Sequence, residues 1–199
     1  KPRREPQQER SRQMRDDILE ASIRVLASEG PLNFTTLRVA EVAGISVGSL
    51  YQYFPNKDAL VYALHTRMVD ALWQEMQHIL DPPRLDPRTK VQRIARMFFL
   101  GESDQMVTMG NVLADIDPFF DTLPELQEID AQVLTRLTTF VGEVLPDMTR
   151  ADVAFGAQML STTIESVGKS VAKRRLSSRD LRKWATSTAD MVCDHLGFP

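Results

Sequence analysis

Apolar residues recur every three or four positions along most of the chain, which is the spacing of one face of an α-helix. Such stripes run through residues 11–29, through roughly 25 residues that begin at Asn56, and through most of the chain after residue 86. No segment alternates apolar and polar residues over a useful length, so no strand is predicted. The pattern therefore predicts an all-α protein of about nine helices.

Residues 35–57, TTLRVAEVAGISVGSLYQYFPNK, interrupt the long stripes with two short helices joined by a tight turn. Thr35 is a candidate N-cap, with Thr36 as the alternative, because a hydroxyl accepts a free backbone N–H. Gly44 stands where a helix ends in a left-handed residue, and Ser46 caps the second short helix. Two helices around a glycine turn within about 20 residues are typical of a helix-turn-helix.

The second short helix has the composition of a helix that approaches DNA closely. Its first turn contains only small residues, Val47, Gly48 and Ser49, so its backbone can press into a major groove. Tyr51 and Tyr53 follow, and their hydroxyls suit phosphate oxygens. We therefore expect this helix to be the recognition helix.

Two further polar residues complete the predicted DNA-binding surface. Gln52 can read a base edge, and Lys57 lies just after the cap candidate Asn56, where a lysine and free helix amides can hold one phosphate. The predicted DNA contacts are Thr35, Thr36, Ser46, Val47, Gly48, Ser49, Tyr51, Gln52, Tyr53 and Lys57.

The segment GISVGSLYQYFPNKDAL closely resembles the DNA-binding signature of TetR-type bacterial transcriptional regulators, and ILEASIRVLASEG is similar to their first helix. The resemblance covers roughly residues 12–64. Residues 31–34 depart from it, because Pro-Leu-Asn-Phe is slightly longer or stiffer than the usual glycine-aromatic link. The resemblance implies a three-helix DNA-binding head, a C-terminal helical domain for effector binding and dimerisation, and a repressor released from a palindromic operator by a small-molecule inducer.

The chain divides, on this interpretation, into three parts. Residues 1–10 form a basic flexible tail, residues 11–57 the helix-turn-helix domain, and residues 58–199 the effector-binding and dimerisation domain. The overall charge is −3. Residues 1–15 contain six basic and two acidic residues, a local charge of +4 beside the helix-turn-helix. Such a tail can bind phosphates or enter a minor groove, and the alternative is a disordered, solvated terminus.

The resemblance also implies an effector pocket walled by the long fourth helix and the helices after it. Large aromatic and methionine side chains in this region suit a small, largely apolar ligand, since methionine adapts to irregular space. The alternative is that they form ordinary core. The candidates are Trp73, Met76, Phe98, Phe99, Met106, Met109, Phe119, Phe120 and Phe140.

The last two predicted helices form an amphipathic hairpin, which either fills the core of one chain or pairs with a second copy as a four-helix bundle. The resemblance implies the homodimer. One recognition helix discriminates by only about 1–3 kcal/mol per good base contact, so two heads on half-sites about 34 Å apart improve selection. The interface candidates are Val153, Ala157, Leu160, Ile164, Val167, Leu181, Trp184 and Thr188.

Other chemistry has little support in the sequence. The three histidines are scattered, Cys193 is the single cysteine, and no catalytic constellation is recognisable, so we predict no enzyme activity, metal or cofactor. No apolar run approaches the length of a membrane span, and we expect a cytoplasmic protein that joins the nucleoid when bound to DNA. Two alternatives stay open: a helical enzyme or interaction module that carries this head, and a regulator that activates or organises DNA without a ligand.

Overall fold

A computed structural model describes residues 5–81, 85–109 and 124–199. Over these residues the chain forms eight α-helices, one 3-10 turn and no strand, which confirms the all-α prediction. The helices in chain order are α1 Glu5–Glu29, α2 Thr36–Ala43, α3 Val47–Tyr53, α4 Lys57–Leu80, α5 Pro87–Met109, α6 Pro124–Val144, α7 Arg150–Ala172 and α8 Ser178–Leu196, and the 3-10 turn covers Pro31–Asn33.

The chain forms two compact units. The first includes the residues up to Met68, and the second includes Val69–Val107 and Thr122–Pro199. We call the described residues 5–68 the head and the described part of the second unit the body. The division falls inside the continuous helix α4, whereas our sequence boundary at residue 57 coincides with the start of that helix.

The first helix begins earlier than the sequence analysis predicted. We predicted a flexible tail over residues 1–10, but α1 starts at Glu5 and is continuous to Glu29. Proline is tolerated in the first turn of a helix, where its missing N–H is not needed, so Pro6 does not prevent this start. The glutamines, Glu9 and Arg10 that follow are good helix formers.

The head packs α1 against α2 and α2 against α3. Its core contains Ile18 and Val25 of α1, together with Phe34, Leu50 and Phe54, each at most 1% exposed. The buried hydroxyl of Ser22 donates to the carbonyl of Ile18 at 2.8 Å, so this polar atom is satisfied within its own helix. The short helices are thereby held on a well-packed support.

The body is built around α7, which packs against both α6 and α8. Thr149 and Ser177 cap α7 and α8, and each hydroxyl accepts the backbone N–H of an aspartate three residues later at 3.2 Å. Each bond satisfies one of the free amides at the start of its helix. Polar bonds join α5 to α8, including Arg88 Nη2 to Asp194 Oδ1 at 2.7 Å.

Candidate nucleic-acid interface

The turn between α2 and α3 has the geometry that its glycine predicts. Gly44 has φ 70° and ψ 29°, in the left-handed region. Its N–H donates to the carbonyl of Glu41 at 3.1 Å, and the N–H of Ile45 donates to the carbonyl of Ala40 at 3.0 Å. This pair of bonds closes the end of α2 as a Schellman motif. The direction of α3 is therefore fixed by backbone bonds.

Both short helices begin at the predicted caps. The Thr35 hydroxyl accepts the N–H of Arg38 at 3.1 Å, and the Ser46 hydroxyl accepts the N–H of Ser49 at 3.0 Å. The N-cap prediction for Thr35, rather than the alternative Thr36, is confirmed. The side-chain oxygen of Asn56 accepts the N–H of Ala59 at 2.7 Å and so caps α4.

The recognition-helix candidate α3 presents most of its surface to solvent. Leu50 is fully buried and holds the helix on the head, while the neighbouring Tyr51 is 46% exposed. Each of the ten predicted DNA contacts is exposed or partly exposed: Thr35, Thr36, Ser46, Val47, Gly48, Ser49, Tyr51, Gln52, Tyr53 and Lys57. The surface that the sequence assigned to DNA is therefore available to a partner.

A pair of hydroxyls joins the start of α2 to the middle of α3. Thr36 Oγ1 and Tyr51 Oη lie 3.2 Å apart, within hydrogen-bond distance. Both residues were predicted to contact DNA, and the structure brings them together although 15 positions separate them in the chain. The bond fixes the Tyr51 ring beside the N-terminus of α2.

Lys57 is held beside this surface by an aromatic ring. Its Nζ lies 5.6 Å from the ring centroid of the buried Phe34, a cation–π distance. The Ala59 N–H already donates to the Asn56 side chain. A phosphate shared with Lys57 must therefore use the other free amides in the first turn of α4.

Arg38 is basic and exposed, yet its guanidinium is paired with carboxylates of the head. Its guanidinium forms ion pairs with Glu29 at 2.7 Å and Glu41 at 2.9 Å. The hydrogen bond to Glu29, followed by that to Glu41, raises the pKa of Arg38, and the same bond to Arg38 lowers the pKa of Glu29. A guanidinium that already faces two carboxylates is a poor donor to phosphate, which agrees with its omission from the predicted contacts.

The sequence analysis missed one exposed residue of this surface. Leu37 is 57% exposed, although it is not among the predicted DNA contacts. Arg38 faces α1 through Glu29, and Leu37 precedes it by one position, about 100° around the helix. Leu37 therefore points away from that contact with α1. Its position directly after Thr36, a predicted DNA contact, is the sequence feature that could have identified it.

Comparison with known proteins agrees with this geometry. Residues 18–64 match the family model described as bacterial regulatory proteins, tetR family. The chain is 32% identical over 134 residues to the nucleoid occlusion factor SlmA of Vibrio campbellii, covering 66% of each protein. It is 29% identical over 100 residues to the HTH-type transcriptional regulator BetI of Paraburkholderia xenovorans, covering 50% of this chain and 51% of BetI.

This chain belongs to the TetR family. Its head carries the helix-turn-helix over which this family model matches. The solved structure of FadR from Bacillus subtilis, in complex with stearoyl-CoA, shares the fold with a TM-score of 0.63 at 19% identity, covering 88% of this chain and 96% of FadR. The chain spans about half the length of the BetI relative that it matches, 51%.

The effector candidates of this TetR-family chain that the structure describes lie in the core of the body or against it. Met76, Phe99 and Phe140 are buried in the core of the body, and Trp73 and Phe98 are partly buried against it. Phe119 and Phe120, and the side chains of Met106 and Met109, lie outside the described residues. Core packing, the alternative that we kept open, accounts for these three buried side chains in the single chain, and their contact with an effector stays a prediction.

Trp73 also lines an open groove between α4 and α6, with a volume of about 430 Å³. Six of its eight lining residues are polar or charged, so the groove suits an amphiphilic rather than a purely apolar molecule. The lining residues are Trp73, Gln77, Glu128, Ala131, Gln132, Thr135, Arg136 and Thr139.

The predicted dimer residues require a correction. Five of the eight are at most 5% exposed in the single chain: Ala157, Leu160, Ile164, Leu181 and Thr188. A side chain with almost no exposed surface cannot contribute area to a second copy, so these five belong to the core of the body. Val153 and Val167 are partly buried against that core, and Trp184 is 41% exposed. The most regular apolar stripe of each helix faces the chain's own interior.

Metal sites and membrane-spanning helices are both absent from the described parts of the chain. There, no group of three or more His, Cys, Asp or Glu residues could hold a metal ion. The same residues include no helix with both the length and the apolarity of a membrane span.

Proposed function

We propose that this chain is a dimeric repressor that binds a near-palindromic operator through α3 and leaves it when a small molecule binds the body. The observation that supports this most is the solvent-facing surface of α3, which Leu50 anchors to the head from the opposite side. A regulator with this role acts in the bacterial cytoplasm and associates with the nucleoid while it is bound.

In this proposal the N-terminal turn of α3 enters the major groove. Val47 and Gly48 let the helix approach the bases, and Gln52 reads one base edge. The other polar residues on and beside that helix bind phosphates, which sets the orientation of the head on the duplex. These residues are Thr35, Thr36, Ser46, Ser49, Tyr51, Tyr53 and Lys57. Base identity and backbone affinity thus depend on different side chains.

The dimer uses the exposed faces of α7 and α8 instead of their buried stripes. Phe155 on α7 is 65% exposed, and Trp184 and Met191 on α8 are 41% and 57% exposed. Trp184 and Met191 are seven positions apart and so lie on one face of the helix. Large exposed apolar side chains on two adjacent helices are typical of an interaction surface, and a two-fold axis there pairs identical patches.

The effector site of the proposal is the groove between α4 and α6. Trp73 offers an apolar face, while Arg136 and Glu128 offer charged groups at its rim. The FadR relative was solved with stearoyl-CoA, a ligand with both an apolar chain and charged groups. A ligand moves an equilibrium from 1:99 to 99:1 only if it prefers one state by about 5.5 kcal/mol. Helix α4 carries both Lys57 and Trp73. It is therefore the element through which a ligand that prefers one state changes DNA binding in this proposal.

Electrophoretic mobility shift on a selected operator tests this function. We expect retardation of that duplex by the full chain, and relief when amphiphilic small molecules from a metabolite panel are added. Lys57→Gln should weaken binding to every duplex, because it removes a sequence-independent charge. Gln52→Ala should change the preference among duplexes. Equal retardation of the operator and of unrelated duplexes would contradict the proposal.

A second candidate function is DNA organisation without an effector. The similarity to SlmA, a nucleoid occlusion factor, covers 134 residues and so continues beyond the 47 residues of the helix-turn-helix family match. In that case the same operator is bound, but no molecule of the panel relieves the retardation. The two candidates therefore separate in one experiment.

A further inference from the structure

The positively charged side chains of the head fall into two groups. Arg38 faces Glu29 and Glu41, and the Arg67 guanidinium lies 3.9 Å from Asp16 and 3.8 Å from Glu20. These two charges are compensated within the head. In contrast, the described part of the chain supplies no ion-pair partner to five exposed residues, Arg10, Arg12, Arg15, Arg24 and Lys57.

Among the cations without an ion pair, Arg15 and Lys57 each lie over a buried phenylalanine. The Arg15 guanidinium carbon is 5.0 Å from the ring centroid of Phe54, and Lys57 Nζ is 5.6 Å from that of Phe34. Both rings are 1% exposed and therefore fixed. Each cation is thus held in place by a rigid apolar surface instead of by a carboxylate.

The position of Phe54 places Arg15 beside the recognition helix. Phe54 is the C-cap residue of α3, and Lys57 follows it by three positions, at most about 11 Å along the chain. Within the described residues no hydrogen bond or ion pair takes up the guanidinium N–H donors of Arg15, so they stay available for phosphate oxygens. The charge is therefore both pre-positioned and uncompensated.

We propose that Arg15 is a further DNA-backbone contact, which extends the phosphate-binding surface from Lys57 at the start of α4 onto α1. The inference rests on the proposed function, because it assumes that α3 and Lys57 face the duplex. It assigns to α1 a role in binding as well as in supporting the head.

Arg24 is a matched control on the same helix. It is exposed, it has no ion-pair partner in the described chain, and it follows Arg15 by nine positions, about 2.5 helical turns. It therefore lies on the opposite face of α1. Arg15→Gln and Arg24→Gln make the same change of charge on two sides of one helix.

The test measures binding of the full chain to a mixed-sequence duplex of about 30 base pairs by fluorescence anisotropy, in salt from about 50 to 200 mM. Each lost phosphate contact lowers the slope of log K against log salt by about 0.9 per protomer. We expect this loss for Arg15→Gln and Lys57→Gln, and a wild-type slope for Arg24→Gln. Arg15→Lys should keep the slope because it keeps the charge.

The outcomes separate this inference from the function on which it rests. If Lys57→Gln lowers the slope while Arg15→Gln matches Arg24→Gln, the role of Arg15 is refuted and the proposed surface stands. If Lys57→Gln also leaves the slope unchanged, the proposed surface itself is refuted.

A measurement on the unsubstituted chain removes any dependence on folding of the variants. Phenylglyoxal modifies exposed arginines, and peptide mass spectrometry reports each site. We expect the duplex to protect Arg15 and to leave Arg24 reactive. Equal reactivity of Arg15 with and without the duplex would overturn the inference.

Discussion

Tyr51 and Thr36 are joined by their hydroxyls at 3.2 Å, and this bond links the recognition helix to the start of α2. Either hydroxyl can donate to the other. The hydroxyl that accepts keeps its own O–H, which can donate to a phosphate oxygen. We therefore expect the two helices of the motif to bind one phosphate through this shared pair of side chains.

Tyr51→Phe tests this pair, because it removes one hydroxyl and keeps the ring. We expect affinity to fall for all duplexes by about 1.5–3 kcal/mol, the contribution of a hydrogen bond to a charged group. The thermal unfolding midpoint should barely change, since the hydroxyl is exposed. Thr36→Ser keeps the second hydroxyl and serves as the control. Unchanged affinity of Tyr51→Phe would show that the pair only stabilises the head.

Gln52→Ala tests base reading by α3. We expect the variant to lose about 1–3 kcal/mol of discrimination at one base pair of each half-site, because a bidentate contact to a base edge is removed. Binding to unrelated duplexes should stay as in the wild type. Competition among operators that differ at single base pairs measures this. A uniform loss over all competitors would contradict a base contact at Gln52.

Two glycine substitutions separate the folding of the motif from its approach to DNA. Gly44→Ala should destabilise the head by about 1 kcal/mol, because φ 70° is unfavourable for any residue with a Cβ although no atom lies within 4 Å of the new methyl group. Gly48→Ala meets only Ser46 Oγ at 3.8 Å and sits within α3, so stability should be kept or increase.

The Gly44→Ala and Gly48→Ala variants should rank in the opposite order when their affinities for DNA are compared. Gly48→Ala adds a methyl group where the helix approaches the bases, and we expect weaker operator binding from a stable protein. Urea unfolding and anisotropy titrations on both variants give the comparison. Full operator affinity in Gly48→Ala would place this turn of α3 away from the groove.

The dimer prediction follows from exposed side chains of α7 and α8. Phe155→Glu combined with Met191→Glu should yield a folded monomer, because both side chains are exposed in the single chain. Leu160→Ala should instead cost about 2–5 kcal/mol of unfolding free energy, since Leu160 is 0% exposed. Sedimentation velocity and circular dichroism check both. A dimer that survives the double charge substitution would place the interface elsewhere.

Gly168 of α7 is a close-packing position. A Cβ built there would lie 2.8 Å and 2.9 Å from two ring carbons of Phe98 and 3.1 Å from one of Phe99. We expect Gly168→Ala to destabilise the body by about 1–3 kcal/mol through overpacking. Gly142→Ala is the control, because its nearest atom is Val153 Cγ1 at 3.6 Å. Relief of the loss by adding Phe98→Leu would identify the ring as the cause.

The parts of the fold that depend on local chemistry could be predicted from the sequence. Thr35, Gly44 and Ser46 determine where the short helices begin and end through bonds to near neighbours, and the structure has those bonds. The family motif then indicated which side of α3 faces outward. Local caps and a specific motif gave the correct helix-turn-helix.

The body shows where such reasoning fails. Leu160 and Leu181 were assigned to a dimer because they lie on the most regular apolar stripes, but that stripe is the one that the chain's own core buries first. Periodicity cannot tell which of two apolar faces meets a second copy. Leu37 shows a related limit, since residue type favours burial of a leucine while its place on α2 leaves this one exposed.

Selection of binding sequences from a random pool of duplexes by the purified full chain tests the central claim most directly. The account predicts an enriched inverted repeat whose half-site centres are about 34 Å apart, or a multiple of that distance, because two α3 helices are related by a two-fold axis. A pool without enrichment, or one asymmetric motif, would contradict it.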